Sequence, residues 1–234
     1  TQAELAGLIR KHGVELIGLR APLQLTQFKP ALAMNGDILA RYDANRLRVV
    51  RQVRYSLANE NCIDLVLFLN GLPVATVELK TDFTQSVADA VDQYRFDRQP
   101  ASRGSAPEPL LSFPSGALVH FAVSNAEVMM ATQLIGPLTS FLPFNRGNGG
   151  GRGNPPNPNG LKTDYLWKRI LTREGLTDIL ENYAQIVETK DEKTGRKRAV
   201  QIWPRFHQLD VVRKLLADAR ERGVGRRYLI QHSA

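Results

Sequence analysis

Asp64, Glu78 and Lys80 are the residues of this 234-residue chain whose types and spacing could do chemistry. Alternate residues on a strand share a face, so Glu78 and Lys80 in the run PVATVELK would point the same way. Asp64 lies in the preceding apolar run, CIDLVLFL, and the Asn70-Gly71 pair between the two runs is the strongest short-range signal for a hairpin. Such a hairpin would bring two carboxylates and an ammonium together. That group suits phosphodiester hydrolysis. The carboxylates of Asp64 and Glu78 would hold Mg2+, or Mn2+ in its place, because hard cations prefer oxygen ligands, and the cation would neutralise the phosphate and acidify a bound water. Lys80 would orient that water or stabilise the charge that grows on the phosphate.

The triplet alone is weak. In a chain with 11 Glu and 9 Lys, Glu-x-Lys arises by chance, and a second copy, Glu188-Thr189-Lys190, is expected to end a helical segment and run into a charged turn. What distinguishes Glu78 and Lys80 is their place at the end of an apolar strand, where an unpaired charge is costly, beside a lone Asp64 in the neighbouring run. The residues themselves leave two readings open, a metal site or a structural salt bridge. Geometry adds a condition. A strict two-residue turn at Asn70-Gly71 would pair Asp64 with Val77 and place it on the face opposite Glu78. The site therefore requires an odd-length loop, Leu69-Asn70-Gly71 with Gly71 left-handed, or a bulge, so that Asp64 faces Thr76.

Around this hairpin the periodicity predicts an opening amphipathic helix over 2–12, a strand over RLRVVRQVRYS, and a helix from Thr84 to Arg98 with Val87, Val91 and Tyr94 on one face. Ala117 to Ser124 reads as a strand, and Val128 to Ile135 as a strand or short helix. The segment 145–160, NRGNGGGRGNPPNPNG, is a loop by composition. It lacks the Gly-Lys-Ser/Thr ending of a phosphate loop, so a surface loop is the reading. Thr163 to Leu171 and Leu176 to Val187 read as helices, Glu188 to Lys197 as a charged turn, His207 to Arg222 as a strong helix and Arg227 to Gln231 as a buried strand. The fold class is α/β, with a mixed sheet of about five strands flanked by helices.

The composition excludes several classes. With 43% hydrophobic and 23% charged residues the chain is neither disordered nor fibrous. No apolar stretch is long enough for a membrane span and no signal peptide is visible, which predicts a soluble, cytoplasmic protein with no membrane partner. One cysteine, Cys62, excludes a disulfide scaffold and a zinc finger, and the four histidines show no ligand spacing. The net charge of +8 is unevenly placed: residues 1–144 carry 13 Lys and Arg against 13 Asp and Glu, and 145–234 carry 18 against 10. Arg41, Arg46, Arg48, Arg51 and Arg54 could line a DNA path, with Arg46, Arg48 and Arg51 the contacts expected there; a solvated strand face explains the series as well.

Asp-(x)13-Glu-Leu-Lys with NGLPVA between the acids resembles the PD-(D/E)xK nuclease core of the restriction subunit of type I restriction-modification enzymes. The resemblance continues through AVDQYRFDR, VHFAVSNAEVMMAT, FLPFNRGNGG, TDYLWKRIL and RFHQLDVVRKLL to YLIQHSA. It implies a restriction-endonuclease-like domain over 1–144, a glycine-rich loop and helical linker over 145–200, and the start of an ATP-dependent, helicase-like translocase over 201–234, cut just before the motor's phosphate loop. By the same resemblance Asp64 and Glu78 are metal-binding, Lys80 is catalytic, and Gln93 matches the glutamine of a Gln-x-x-x-Tyr element, although the fourth residue on is Asp97 and the tyrosine here is Tyr94. Gln208 resembles the adenine-reading glutamine that precedes such phosphate loops. The implied activity is Mg2+-dependent cleavage of double-stranded DNA, with ATP needed only by the full-length subunit. The implied partners are the methyltransferase and specificity subunits. A nuclease-fold module for DNA binding or subunit docking, with a non-catalytic triad, is the alternative.

Overall fold

The computed structural model describes residues 25–32, 34–56, 59–101, 106–190, 195 and 197–231. The helix expected over 2–12 lies outside them. The centre is one mixed sheet of six strands in sequence order: β1 (Leu47–Arg54), β2 (Cys62–Leu69), β3 (Leu72–Leu79), β4 (Val119–Val123), β5 (Val128–Ala131) and β6 (Leu142–Pro143). Every neighbouring pair is antiparallel except β3 and β4, which run parallel. The sheet thus has one strand more than expected. Its sixth member is a two-residue strand, too short to leave a period in the sequence.

A parallel pair needs a crossover, and the segment between β3 and β4 supplies it with α2 (Val87–Asp92) and a π-helical turn (Gln93–Asp97). This layer covers one face of the sheet. Val66, Ala90, Val91, Tyr94, Ala122 and Ala131 form its core. The opposite face is covered by a second π-helical turn (Leu166–Ile170), α3 (Arg173–Asn182) and α4 (Phe206–Arg222), and Val77, Phe121, Val123 and Phe144 meet Leu166, Ile170, Leu176, Phe206 and Leu209 there. Burial on both faces is why β2, β3 and β4 read as nearly continuous apolar runs rather than as alternating ones. Each such Leu, Val or Phe contributes roughly 1.5–3 kcal/mol of burial. A short helix, α1 (Gly36–Asp43), precedes the sheet, with the Asn35 side chain accepting from the amides of Asp37 and Ile38.

Three expectations need correction. The helix expected over 176–187 stops at Asn182, and Val187 stands in a strand. Of the expected charged turn over 188–197, the ends stand in two paired antiparallel strands, β7 (Gln185–Lys190) and β8 (Lys197–Ile202), with Lys197 bonded to Glu188 at 2.9 Å, and 191–194 and 196 lie outside the described residues. Charged residues on both faces hid a strand pair that lies off the main sheet and is largely exposed. Finally, Arg227 to Gln231 is not a buried strand. It has no ladder partner and Leu229 is 94% exposed, since an extended run without a neighbouring edge has nothing to pair with.

The glycine-rich segment is a loop, as its composition predicts, and its ends are tied. Asn145 Oδ1 accepts from the Val128 amide, and buried Asn154 donates to Asn145 Oδ1 and to the Ala126 carbonyl. No helix among the described residues is long and apolar enough to cross a membrane.

Candidate active site

The β2–β3 hairpin sets the geometry. Leu69 pairs with Leu72, so Asn70-Gly71 is a two-residue turn, with φ of 51° and 91°, the two left-handed residues of a type I′ turn. The odd-length loop does not form; the bulge does. Phe68 pairs with Pro73 but Leu67 pairs with Ala75, which leaves Val74 as the extra residue. The shifted register runs on to Leu65 and Val77, so the next position sets Asp64 against Glu78. Asp64 does not face Thr76, whose partner is Val66. The shared side was foreseen but the opposing residue was not. The sequence signal for the bulge was Pro73, which cannot donate to a ladder and is tolerated in a strand at such irregularities.

Beyond Leu65 the Asp64 carboxylate takes over from the ladder. Its Oδ2 accepts from the Leu79 amide at 2.8 Å and its Oδ1 from Gln52 Nε2, across on β1, at 3.0 Å. The apolar side of β2 also changes here, because Ile63 and Val66, three residues apart, enter the same core.

Glu78 is wholly buried. Its Oε1 accepts from Arg98 Nε at 2.9 Å, and its Oε2 has no partner among the described residues. Burial raises its pKa from 4.5 to about 8; the Asp64 carboxyl, within hydrogen-bond reach, raises it further and Arg98 opposes the shift. Arg98 is the functional neighbour that sequence reasoning missed. It follows the first π-helical turn, and its amide bonds back to the Gln93 carbonyl at 3.0 Å, five residues earlier. Its approach to Glu78 depends on that extra residue in the turn, which no short motif records.

Below the carboxylates lies an uncharged polar floor. Thr76 Oγ1 bonds to the Tyr94 hydroxyl at 2.8 Å and to His120 Nδ1 at 2.7 Å. Burial takes the His120 pKa down to about 3, and burial also raises that of Tyr94, so both are neutral. Tyr94 packs in the core, as the helical face predicted.

Lys80 follows β3 directly, with its amide bonded to the Val123 carbonyl at 2.9 Å. Its ammonium makes no hydrogen bond or ion pair among the described residues. It opens on a pocket of about 250 Å3 shared with Gln93, Asp89 and Phe96. The pKa of Asp89 is lowered first by hydrogen bonds from Ser86, with Lys80 adding to the effect. Gln93 Oε1 is buried without a partner among the described residues. The structure therefore gathers Asp64, Glu78 and Arg98, and places Lys80 and Gln93 together in a pocket that neither carboxylate lines.

The other predicted residues lie apart. Arg48 and Arg51 are exposed on β1, at the sheet edge, and Arg46 is exposed just before it. Arg48 pairs with Phe68, which packs toward α2, and Arg51 with Leu65, which packs toward α3, so the two arginines flank opposite faces. Gln208 Oε1 accepts from the Arg205 amide at 2.9 Å and caps the helix it belongs to.

No group of three or more His, Cys, Asp or Glu side chains gathers among the described residues. Two facing carboxylates with one unpartnered buried oxygen fit Mg2+, which is usually held by one or two carboxylates and completes its shell with water and phosphate oxygens.

Residues 29–137 match the family described as Type I restriction enzyme R protein N terminus. The matched stretch runs from before β1 to beyond β5 and includes Asp64, Glu78, Lys80, Gln93 and Arg98. No curated protein matches the chain.

Proposed function

We propose, from the match of residues 29–137 to the Type I restriction enzyme R protein N terminus, that the chain is the nuclease region of a restriction system and cleaves double-stranded DNA with Mg2+ at Asp64 and Glu78. The observation that carries this reading is the pairing of a buried carboxyl, one of whose oxygens, Glu78 Oε2, receives no hydrogen-bond donor among the described residues, with a second carboxylate. Two acids in one water-poor place repel each other, and a divalent cation relieves that repulsion. Asp64 and Glu78 would hold the cation. When bound it supplies charge neutralisation of the phosphate and a more acidic water. Lys80, two residues after Glu78 and with no ammonium partner among the described residues, would stabilise negative charge on the phosphate or orient the attacking water. Gln93 adds to the Lys80 pocket a carbonyl oxygen unpartnered among the described residues. Arg46, Arg48 and Arg51 would contact the DNA backbone.

In the complete subunit, cutting would follow ATP-driven translocation by a motor in which Gln208 belongs to the nucleotide site. Sequence recognition would rest with the methyltransferase and specificity subunits. The test is Lys80→Ala in the complete subunit, assembled with those partners. Losing one charge stabiliser should lower cleavage by about 10²–10³-fold and leave ATP hydrolysis and translocation intact. Normal cleavage by that variant would refute the catalytic assignment.

One observation favours the docking or DNA-binding module instead: Arg98 already occupies one oxygen of Glu78. Calorimetry with Mn2+ separates the two readings. Uptake that disappears with Asp64→Ala supports the nuclease, and a wild-type chain that takes up no Mn2+ supports the module.

A further inference from the structure

Among the described residues only two that are not glycine have a left-handed backbone, Asn70 and Gln52. Asn70 is explained by the type I′ turn, and asparagine tolerates that region. Gln52 is not explained that way. It stands in the middle of β1 with φ of 50°, a conformation that costs an ordinary side chain free energy. The ladder between β1 and β2 pairs Arg51 with Leu65 and Val53 with Ile63, and skips Gln52 and Asp64 between them. At the skipped step the contact is made by side chains, Gln52 Nε2 donating to Asp64 Oδ1 at 3.0 Å.

We propose that Gln52 is a positioning residue for the metal-binding carboxylate of Asp64, bent out of the β1 ladder so that its amide can hold Oδ1 while the Leu79 amide holds Oδ2. This rests on the metal reading of Asp64 and Glu78. Both oxygens of Asp64 are thereby fixed by neutral donors. A lysine or arginine in the place of Gln52 would orient the carboxylate equally well but cancel its charge, and an amide leaves that charge for a cation. The contrast within the site is direct, because Glu78 is the carboxyl that receives a cationic partner, Arg98, on one oxygen only. Donors in this outer position set ligand orientation, and their loss weakens metal binding or activity by about 10–100-fold.

A bend that merely serves the twist of the sheet makes a different prediction, and two variants separate the two. Gln52→Gly removes the amide and also relieves the backbone, since glycine adopts positive φ freely. Gln52→Met keeps the length of the side chain and the strained backbone but cannot donate. Mn2+ affinity of the 234-residue chain is measured by calorimetry, and thermal stability is measured without metal. The expected result is Mn2+ binding weakened about 10–100-fold in both variants, with Gln52→Gly at least as stable as wild type and Gln52→Met no more stable. Mn2+ affinity within about twofold of wild type in a folded Gln52→Gly chain overturns the role of Gln52 and leaves the metal site standing. A wild-type chain that takes up no Mn2+ through Asp64 overturns the metal reading itself, and this inference with it.

Discussion

Glu78→Gln isolates the energetic consequence of burying a carboxyl against another carboxyl. Glutamine keeps the volume and an oxygen for Arg98 Nε, but it does not titrate. In the wild type the folded chain holds the Glu78 proton up to about pH 8, against 4.5 for an exposed carboxyl. Between those values the folded state binds more protons than the unfolded state, so stability falls as pH rises through the interval and levels off above it. At ~1.4 kcal/mol for each tenfold change, the loss from pH 5 to pH 8 is about 3 kcal/mol, present in the wild type and absent in the variant. Urea unfolding in a chelating buffer at pH 5, 7 and 9 reads this directly. With a slope of ~2–3 kcal/mol per molar, the two midpoints should separate by about 1 M as pH rises, with the variant the more stable at pH 9. Parallel midpoints across that range would show that Glu78 ionises in the folded chain as it does in water, and the account of the site would fail. Saturating Mn2+ at pH 9 should narrow the gap, because a cation on the pair favours the ionised form.

Three further outcomes follow from the same geometry. Arg98→Met should destabilise the chain by about 1–3 kcal/mol more at pH 9 than at pH 5, since the guanidinium has a charged partner only when Glu78 is ionised; equal losses in urea unfolding at both pH values would contradict the pair. Deleting Val74 removes the bulge but keeps Asp64 opposite Glu78, because Leu67 then pairs with Ala75 directly after Phe68 with Pro73, so Mn2+ uptake should survive while circular dichroism retains the sheet; lost uptake would mean that the bulge does more than set the register. Thr76→Val leaves the Tyr94 hydroxyl and His120 Nδ1 without their shared partner, for a loss of roughly 2–4 kcal/mol by urea unfolding; a change under 1 kcal/mol would mean that water replaces it.

Much of the site was legible because its two acids sit on one hairpin. Apolar runs, an Asn-Gly turn and the parity of Asp64 and Glu78 are all local quantities, and parity alone demanded an irregularity between the strands. Which irregularity, and which residue would then face Asp64, depended on where Pro73 interrupts the ladder. Arg98 was not legible. It lies 20 residues from Glu78 and reaches it through a π-helical turn, a backbone choice that short-range propensity does not encode. The β7–β8 strand pair was missed for a related reason: QIVETK continues a helical pattern from α3 and is largely exposed, so only its pairing with β8 makes it a strand. Arg227 to Gln231 erred in the opposite direction, with strand composition and no edge to join.

The three aromatic and aliphatic anchors Trp203, Phe206 and Leu209 carry a mechanical meaning. They sit behind the sheet, with Phe206 against Phe144 at 5.8 Å and Trp203 against Phe121 at 6.4 Å between ring centres. Phe121 is on β4, the parallel neighbour of β3, and it pairs with Val77, one residue before Glu78. A pull or twist applied to the exposed half of α4 is therefore not absorbed by a slack tether. Its load would fall on the packed rings of Phe206 and Phe144 and, through Trp203 and Phe121, on the strand beside β3.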